Sequence, residues 1–180
     1  MEYTKTEIEG LYIVQPRIFD DERGYFFESY SKLKEEKSGL DYTWVQDNES
    51  FSERGVLRGL HYQCGEYAQA KLVRVIKGEV QDIVVDIRED SPTYGKYFSI
   101  ILSETNKNQL LVPRGMAHGF LVLSEKAIFS YKCDNFYNKA SEGGILYNST
   151  SLSLPWESMN DYKVSEKDGI LPHFGDHKKF

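Results

Sequence analysis

The sequence predicts an all-β domain, either a sandwich or a barrel, on three observations. From Val56 to Cys133, short strand-like segments follow one another at intervals of roughly 8–12 residues, separated by turn signals. Helix-forming runs are few, which argues against strands alternating with helices around a parallel sheet. Aromatic residues make up 14% of the chain, with 13 Tyr and 10 Phe, which is typical of β-structure and of ring-lined pockets.

The length and charge restrict the class of protein further. A chain of 180 residues predicts one domain with a full hydrophobic core, ending in a tail over residues 172–180. The formal net charge of −6 argues against a nucleic-acid partner, because phosphate backbones require a basic face. Cys64 and Cys133 are too few for a disulfide scaffold and form no Cys-x-x-Cys pair. No signal peptide and no run of ~20 apolar residues is visible, so we expect a cytoplasmic protein that does not associate with membranes.

The first third of the chain predicts short strands and one helix. Ile8–Ile18 is expected to form one or two strands, and Tyr25–Tyr30 an aromatic strand after a charged turn. Ser31 is expected to cap a helix that runs to Lys37, before Gly39.

A further strand is predicted over Tyr42–Asn48, and on it Gln46 and Asn48 share one face. Two amides on one face are more commonly hydrogen-bonding partners of a ladder or turn, but they can also line a polar pocket.

The central region predicts paired strands. Lys77-Gly78-Glu79 predicts a hairpin that joins Lys71–Ile76 to Val80–Ile87. A second pair is predicted around Ser124-Glu125-Lys126. Further strands are expected over Lys96–Leu102 and Gln109–Val112, and beyond Cys133 the pattern weakens into irregular and charged segments.

The stretch Arg58–Gln63, followed by Lys71, is the leading candidate for chemistry. It sets His61 between two cations, Arg58 and Lys71, which we expect on neighbouring strands. A histidine, with an ordinary pKa of about 6.5, can act as a base near neutral pH, and an ammonium can stabilise an enolate. The alternative stays open that His61 is a hydrogen-bonded structural residue and Lys71 a strand-edge charge.

Other chemistries have less support. In His61-Tyr62-Gln63 the second histidine of a His-x-His metal pair is replaced by an amide, which is a poor ligand, and Lys71 would repel a cation. Cys64 has no catalytic-cysteine context, and no Gly-x-Ser-x-Gly, phosphate-loop or dinucleotide motif is present.

A set of motifs, in order from about Ile8 to Leu171, closely resembles the dTDP-4-dehydrorhamnose 3,5-epimerases. They are Asp21-Glu22-Arg23-Gly24, Gln46-Asp47-Asn48, Arg58-Gly59-Leu60-His61-Tyr62-Gln63, Gln69-Ala70-Lys71-Leu72-Val73-Arg74, Gly78-Glu79-Val80, Asp86-Ile87-Arg88, Ser91-Pro92-Thr93-Tyr94-Gly95, Ala117-His118-Gly119-Phe120, Tyr131-Lys132 and Ser165-Glu166-Lys167-Asp168. The sequence departs from the family at Cys64-Gly65-Glu66-Tyr67, where many members carry a proline-containing turn.

The resemblance implies a cupin-type jelly-roll barrel that uses no metal or other cofactor and acts as a homodimer on a dTDP-sugar in rhamnose biosynthesis. It implies that His61 is the base, Asp168 orients it, Lys71 stabilises the enolate and Tyr131 is the acid. Ligand contacts are implied, besides Lys71, for Arg23, Glu28, Gln46, Asp47, Asn48, Arg58, His118, Glu142 and Lys167. In such dimers the N-terminal strand commonly packs on the partner, which would place Arg23 and Glu28 in the neighbour's site.

Two alternatives to the double epimerase stay open at this point. One is a relative that inverts only C3 or only C5 of a related sugar, because the same base and acid serve both steps. The other is a barrel that binds a sugar nucleotide without catalysis, although a simple binder needs neither an acid nor a base.

Overall fold

The computed structural model describes residues 1–180 and shows two antiparallel sheets packed face to face. The first sheet contains, in spatial order, β1 (Glu2–Lys5), β2 (Tyr12–Gln15), β10 (Gln109–Val112), β7 (Lys71–Lys77), β12 (Lys126–Cys133) and β5 (Gln46–Glu53). The second contains β13 (Glu142–Gly144), β6 (Val56–Gln63), β11 (Met116–Val122), β8 (Glu79–Asp86) and β9 (Tyr97–Ser103), with β14 (Lys163–Val164) parallel to β6. This arrangement confirms the predicted all-β jelly roll.

The remaining elements are small and lie around the two sheets. β3 (Ile18–Asp21) and β4 (Gly24–Phe27) form a separate hairpin. The α-helices are α1 (Lys32–Lys37) and α2 (Glu166–Gly169), and single 3₁₀ turns occupy Gly65–Tyr67 and Lys139–Ser141. Neither α-helix has the length or the apolar character that crossing a bilayer would require.

The main core lies between the two sheets. Phe129 of β12 stacks on Phe120 of β11 at 4.2 Å between ring centroids, and both rings are buried. Burial of such a side chain contributes about 1.5–3 kcal/mol. The strands alternate as the pleat requires: Val84 of β8 belongs to this inner core, whereas Ile83 belongs to a second cluster on the outer face. Since residues beyond β13 cover that outer face, β8 is buried on both sides.

The two hairpins predicted in the central region are wrong. β7 and β8 lie in different sheets, as do β11 and β12, so each connection crosses from one sheet to the other. The two crossings touch at Gly78, where an added Cβ would lie 2.1 Å from the carbonyl oxygen of Lys126. Gly78 also has φ +81°, so this close crossing requires glycine. The turn signal was correct, but a turn residue does not show whether the two strands it joins will pair.

The helix predicted from Ser31 is confirmed as α1, but the predicted capping role of Ser31 is wrong. Ser31 occupies the N-cap position and its side chain makes no capping hydrogen bond. Instead, buried Glu35 accepts hydrogen bonds from the Trp44 indole at 3.0 Å and from the Tyr42 amide at 3.2 Å. These contacts hold Tyr42 and Trp44 out of a ladder, so the strand predicted from Tyr42 begins only at Gln46.

The segment predicted as a tail is packed against the second sheet. The Tyr62 hydroxyl donates to the carbonyl of Lys178, and the Leu146 amide donates to the carbonyl of Pro172 at 2.8 Å. His177 is buried, and Phe174 contacts the outer cluster. Residues 172–180 therefore help to cover the sheet, which corrects the prediction of a tail, while their dispensability for catalysis stays a prediction.

Candidate active site

A cavity of about 530 Å³ opens between the two sheets. Its walls come from both sheets and from α2, and they include His61, Lys71, His118, Tyr131, Lys167 and Asp168. The structure therefore brings together side chains that are far apart in sequence. Within the chain, no three His, Cys, Asp or Glu side chains form a cluster suited to a metal ion.

His61 and Lys71 reach this cavity from opposite sides. His61 lies on β6 of the second sheet, and Lys71 begins β7 of the first sheet. The expectation that they lie on neighbouring strands is wrong, because Gly65–Tyr67 and the residues after it carry the chain between the sheets. A ligand in the cavity would therefore lie between the imidazole and the ammonium.

The structure pairs His61 with Asp168. Nε2 of His61 lies 2.7 Å from Oδ1 of Asp168, and the other carboxylate oxygen accepts a hydrogen bond from the Gly59 amide at 3.1 Å. The Asp168 amide donates to the Ser165 hydroxyl at 3.1 Å, which caps α2. This cap fixes the short helix that supports the carboxylate.

Asp168 is suited to hold the imidazole as an ionised carboxylate. Its burial raises the pKa, but the hydrogen bond and charge of His61, the Gly59 amide and the charge of Lys167 outweigh burial and keep the pKa below its ordinary value. A carboxylate on Nε2 favours the tautomer in which Nε2 carries the proton. Nδ1 of His61 is then the nitrogen available to accept a proton.

A bulge in β6 gives Asp168 access to the backbone. The register of β6 with β11 shifts between His118 and Phe120, and at this point Gly59 has φ +119°. An added Cβ on Gly59 would lie 2.7 Å from both Gly119 Cα and the His118 carbonyl oxygen. Only glycine fits here, and its free amide points to Asp168.

Lys71 and Tyr131 lie side by side in the cavity wall that the first sheet forms. Nζ of Lys71 lies 5.9 Å from the centre of the Tyr131 ring. Burial lowers the pKa of the Lys71 ammonium, and nearby Cys133, Asp82 and Glu142 oppose that shift.

Tyr131 is held in its protonated form. Burial raises the pKa of the Tyr131 phenol, Cys133 adds to the rise, and Arg58 partly opposes it. A phenol that keeps its proton in a cavity can deliver that proton to a carbanion or enolate.

Several predicted ligand contacts line the same region. The Gln46 amide donates to Asn48 Oδ1 at 3.0 Å, so these side chains share one face of β5, as predicted. They line an adjoining cavity of about 350 Å³ together with Glu142 and Tyr131. Lys167 donates to Glu142 at 2.7 Å.

Arg58 and Asp47, two further predicted ligand contacts, lie in different places. Arg58 also lines the main cavity, and its Nε donates to the Ser52 hydroxyl at 3.1 Å. Asp47, in contrast, lies on the outer face of β5 and accepts a hydrogen bond from Lys132 at 2.9 Å. The structure does not bring Asp47 into the cavity with Gln46 and Asn48.

Arg23 and Glu28 lie outside the cavity of their own chain. Arg23 extends from the turn between β3 and β4 and pairs with Asp21, and its side chain is 84% exposed. Glu28 follows β4 and pairs with Lys34. Neither residue lines the cavity that contains His61.

Sequence reasoning missed Asp82 on β8. Both of its carboxylate oxygens lie 2.9–3.0 Å from Nε2 of His118, and Asp82 is fully buried. The signal was an acidic residue between Val80 and Val84, at a position that the strand period turns into the core. A buried carboxylate at such a position indicates a polar partner.

The fold and the site together define a jelly-roll protein whose cavity holds a carboxylate-paired imidazole and a protonated phenol. The chain belongs to the dTDP-4-dehydrorhamnose 3,5-epimerase family, whose model matches residues 5–176. The dTDP-4-dehydrorhamnose 3,5-epimerase of Shigella flexneri is 52% identical over 169 residues, which are 93% of each chain.

Solved structures of epimerases are similar to this chain. The Elizabethkingia anophelis epimerase has a TM-score of 0.93 and 54% identity, covering 98% of this chain and 97% of its own. An epimerase from Legionella pneumophila, solved in complex with dTDP-4-keto-L-rhamnose, has a TM-score of 0.93 and 44% identity, covering 97% and 93%. The chain is therefore an epimerase by family, and the fold prediction is confirmed.

Proposed function

We propose that this protein is a dTDP-4-dehydrorhamnose 3,5-epimerase, which converts dTDP-4-dehydro-6-deoxy-D-glucose to dTDP-4-dehydro-L-rhamnose in dTDP-L-rhamnose biosynthesis. The observation that carries the proposal is the placement of a carboxylate-held imidazole and a protonated phenol in opposite walls of one cavity. Family membership supports the substrate, since the Legionella relative was solved with dTDP-4-keto-L-rhamnose.

Proton abstraction is the task of His61. Nδ1 removes the proton from the carbon next to the C4 ketone, and the electron pair moves through the new double bond to the C4 oxygen. Asp168 keeps the imidazole in the required tautomer and stabilises the imidazolium that forms. A positioned base of this kind contributes about 10²–10⁴-fold to the rate.

Lys71 stabilises the enolate. Negative charge develops on the C4 oxygen in a site of low dielectric. The Lys71 ammonium lies in that site and can stabilise this charge. The charge is positioned before the reaction, so no rearrangement is needed when the enolate forms.

Tyr131 returns a proton to the same carbon from the opposite face. Inversion follows because the acid and the base lie in different sheets on either side of the sugar ring. The same pair then serves the second carbon, and solvent restores the proton balance between the imidazole and the phenolate.

The nucleotide is held at the mouth of the cavity. Arg58 and Lys167 have the charge for the diphosphate, and guanidinium groups bind phosphate oxygens in bidentate fashion. Gln46, Asn48, His118 and Glu142 are proposed as further contacts because they line the two adjoining cavities.

The homodimer is part of the proposal. Arg23 and Glu28 lie on or beside an exposed hairpin and do not line the cavity of their own chain. A partner that receives this hairpin would gain both side chains as ligand contacts. Asp47, on the outer face of β5, would likewise need a second chain to contact ligand. A cytoplasmic location also stays a prediction.

Incubation of the protein with substrate in heavy water tests the proposed reaction. We expect deuterium at both C3 and C5 of the product, measured by NMR and mass spectrometry. Deuterium at one carbon only would indicate a C3-only or C5-only epimerase. In His61→Ala we expect exchange to fall by about 10²–10⁴-fold while dTDP binding, measured by calorimetry, is retained. Full exchange in that variant would exclude His61 as the base.

A further inference from the structure

Asp82 and His118 form a buried pair that the proton transfers above do not use. His118 is 7% exposed and Asp82 is fully buried. The two carboxylate oxygens lie 3.0 and 2.9 Å from Nε2 of His118, and this is the only side-chain hydrogen-bond partner that Asp82 has. The His118 ring also stacks on Phe129, with 6.1 Å between centroids.

Stability alone does not account for this carboxylate. Asp82 lies between Val80 and Val84 on the inner face of β8, where an apolar side chain would extend the core. Replacement of a buried ion pair by packed apolar residues is often neutral or stabilising, because desolvation of the charges offsets their attraction. A carboxylate at this position therefore indicates that its charge or its acceptor oxygens are used.

The geometry shows which nitrogen of His118 remains for a ligand. Both Asp82 oxygens are directed at Nε2, so Nε2 carries a proton and donates it. Nδ1 has no protein partner, and His118 lines the cavity. His118 also pairs in register with His61, so the two imidazoles are neighbours across β11 and β6.

We propose that Asp82 is a positioning residue for the reaction: it holds His118 with Nδ1 toward the bound keto sugar. The inference rests on the proposed function, since it assumes a keto sugar in this cavity. In this tautomer Nδ1 accepts a hydrogen bond, so the ligand group at Nδ1 would be a hydroxyl of the sugar.

The charge of Asp82 also affects Lys71, which lines the same cavity as His118. Lys71 makes no ion pair, and burial lowers its pKa. Cys133, Asp82 and Glu142 oppose that shift, and of the two carboxylates Glu142 already pairs with Lys167. The other charged or titratable groups around this cavity are Glu49, Arg58, His61, His118, Tyr131, Lys163, Lys167 and Asp168.

Asp82→Asn tests the inference, with Asp86→Asn as the matched control. Both residues are fully buried on β8, but Asp86 is bonded to Arg88, Ser91 and Thr93 at the turn and not to a cavity residue. In Asp82→Asn we expect kcat to fall by about 10–100-fold, less than loss of the base itself would cost. The alkaline limb of the pH–rate profile is expected to move to lower pH, because Lys71 loses a neighbouring negative charge. Asp86→Asn is expected to be less stable than the wild type, with its alkaline limb at the same pH as in the wild type.

Two further measurements separate positioning from a merely structural effect. Nitrogen-15 NMR of the His118 ring is expected to show a protonated Nε2 in the wild type and an altered pattern in Asp82→Asn, whose amide can donate to Nε2. Asp82→Glu keeps the charge, so we expect its alkaline limb to remain at the wild-type pH even if its kcat falls. If Asp82→Asn does not fold, the comparison of Asp82→Glu with the wild type and the His118 spectrum still decide the question.

The outcomes distinguish this inference from the function on which it rests. If the wild type exchanges no deuterium into the keto sugar, the proposed function fails. If the wild type exchanges normally and Asp82→Asn keeps its kcat, its alkaline limb and its His118 spectrum, the positioning role is overturned and the function stands.

Discussion

At the scale of single residues, the proposed chemistry depends on partners that fix one ionisation state each. Asp168 holds His61 through Nε2 at 2.7 Å, and burial raises the pKa of Tyr131 so that the phenol keeps its proton. Burial acts in the opposite direction on Lys71, whose charged form it disfavours. Burial in this cavity therefore keeps Tyr131 as a proton donor, whereas the positive charge of Lys71 depends on nearby negative groups.

Removal of the Tyr131 hydroxyl is expected to separate the two proton transfers. In Tyr131→Phe we expect product formation to fall by about 10²–10⁴-fold, because the acid is lost while the base remains. Exchange of substrate protons with heavy water is expected to continue, since His61 can remove a proton and return it to the same face. Tyr97→Phe, on β9 and outside the cavity, is the control and is expected to behave as the wild type. Loss of both exchange and turnover in Tyr131→Phe would contradict the assignment.

The pairing of Asp168 also predicts how stability depends on pH. The folded-state pKa of Asp168 lies below the ordinary value of 3.8, so its stabilisation is present above that value and is lost as pH falls through the folded-state pKa. We expect the difference in unfolding free energy between wild type and Asp168→Asn to shrink as the pH falls below 3.8 and the carboxylate takes up a proton. Urea titrations at a series of pH values measure it, and the exposed Asp90→Asn serves as control. A difference that grows as the pH falls below 3.8 would contradict the sign of this argument.

At the scale of elements, the site depends on short irregular pieces. The bulge of β6 frees the Gly59 amide for Asp168, and the capped turn of α2 fixes the carboxylate. Both pieces are too short for periodicity to predict, whereas the long strands β7, β8, β9 and β12 were visible as strands in the sequence. Their pairing was not visible, because a short turn can return a strand to its own sheet or carry it to the other.

The bulge predicts a large effect of a single methyl group. Gly59→Ala places Cβ 2.7 Å from backbone atoms of Gly119 and His118, in addition to the strain of φ +119°. We expect a loss of stability above the ~1–3 kcal/mol of positive-φ strain alone, and a fall in kcat as Asp168 loses its amide partner. Gly39→Ala, with φ +79° and open space around Cβ, is the control for strain without a clash. Equal losses for the two variants, measured by thermal unfolding, would show that the close approach does not matter.

At the scale of the whole molecule, the β3–β4 hairpin stands apart from the two sheets and exposes aromatic side chains. Phe19, Tyr25 and Phe26 are 49%, 57% and 67% exposed on this small two-stranded unit. The rings of Phe19 and Phe26 lie 6.5 Å apart, and neighbouring exposed rings on a surface favour a partner, which agrees with the homodimer implied by family resemblance.

Weakening this surface is expected to dissociate the proposed dimer. Phe26→Glu adds a charge to the hairpin, so we expect sedimentation velocity to show more monomer than the wild type does. It should also weaken dTDP-sugar binding, if Arg23 and Glu28 serve the neighbouring chain. Ile170→Glu, at an 84% exposed position after α2, is the control for association. A wild type that sediments as a monomer would remove the basis for this prediction.

The sequence by itself determined the all-β class, the long strands and, through motifs spread along the chain, the family; it also supplied the candidate residues of the site. Strand periodicity and turn residues are local properties, so they can be read without knowing what lies across the core. Only the tertiary structure decided that His61 and Lys71 face each other from different sheets, that Asp47 points outward and that residues 172–180 pack on the outer face. It also revealed Asp82, because the partner that makes a buried carboxylate meaningful lies on another strand. Such contacts depend on how sheets stack, and that is a property of the folded chain as a whole.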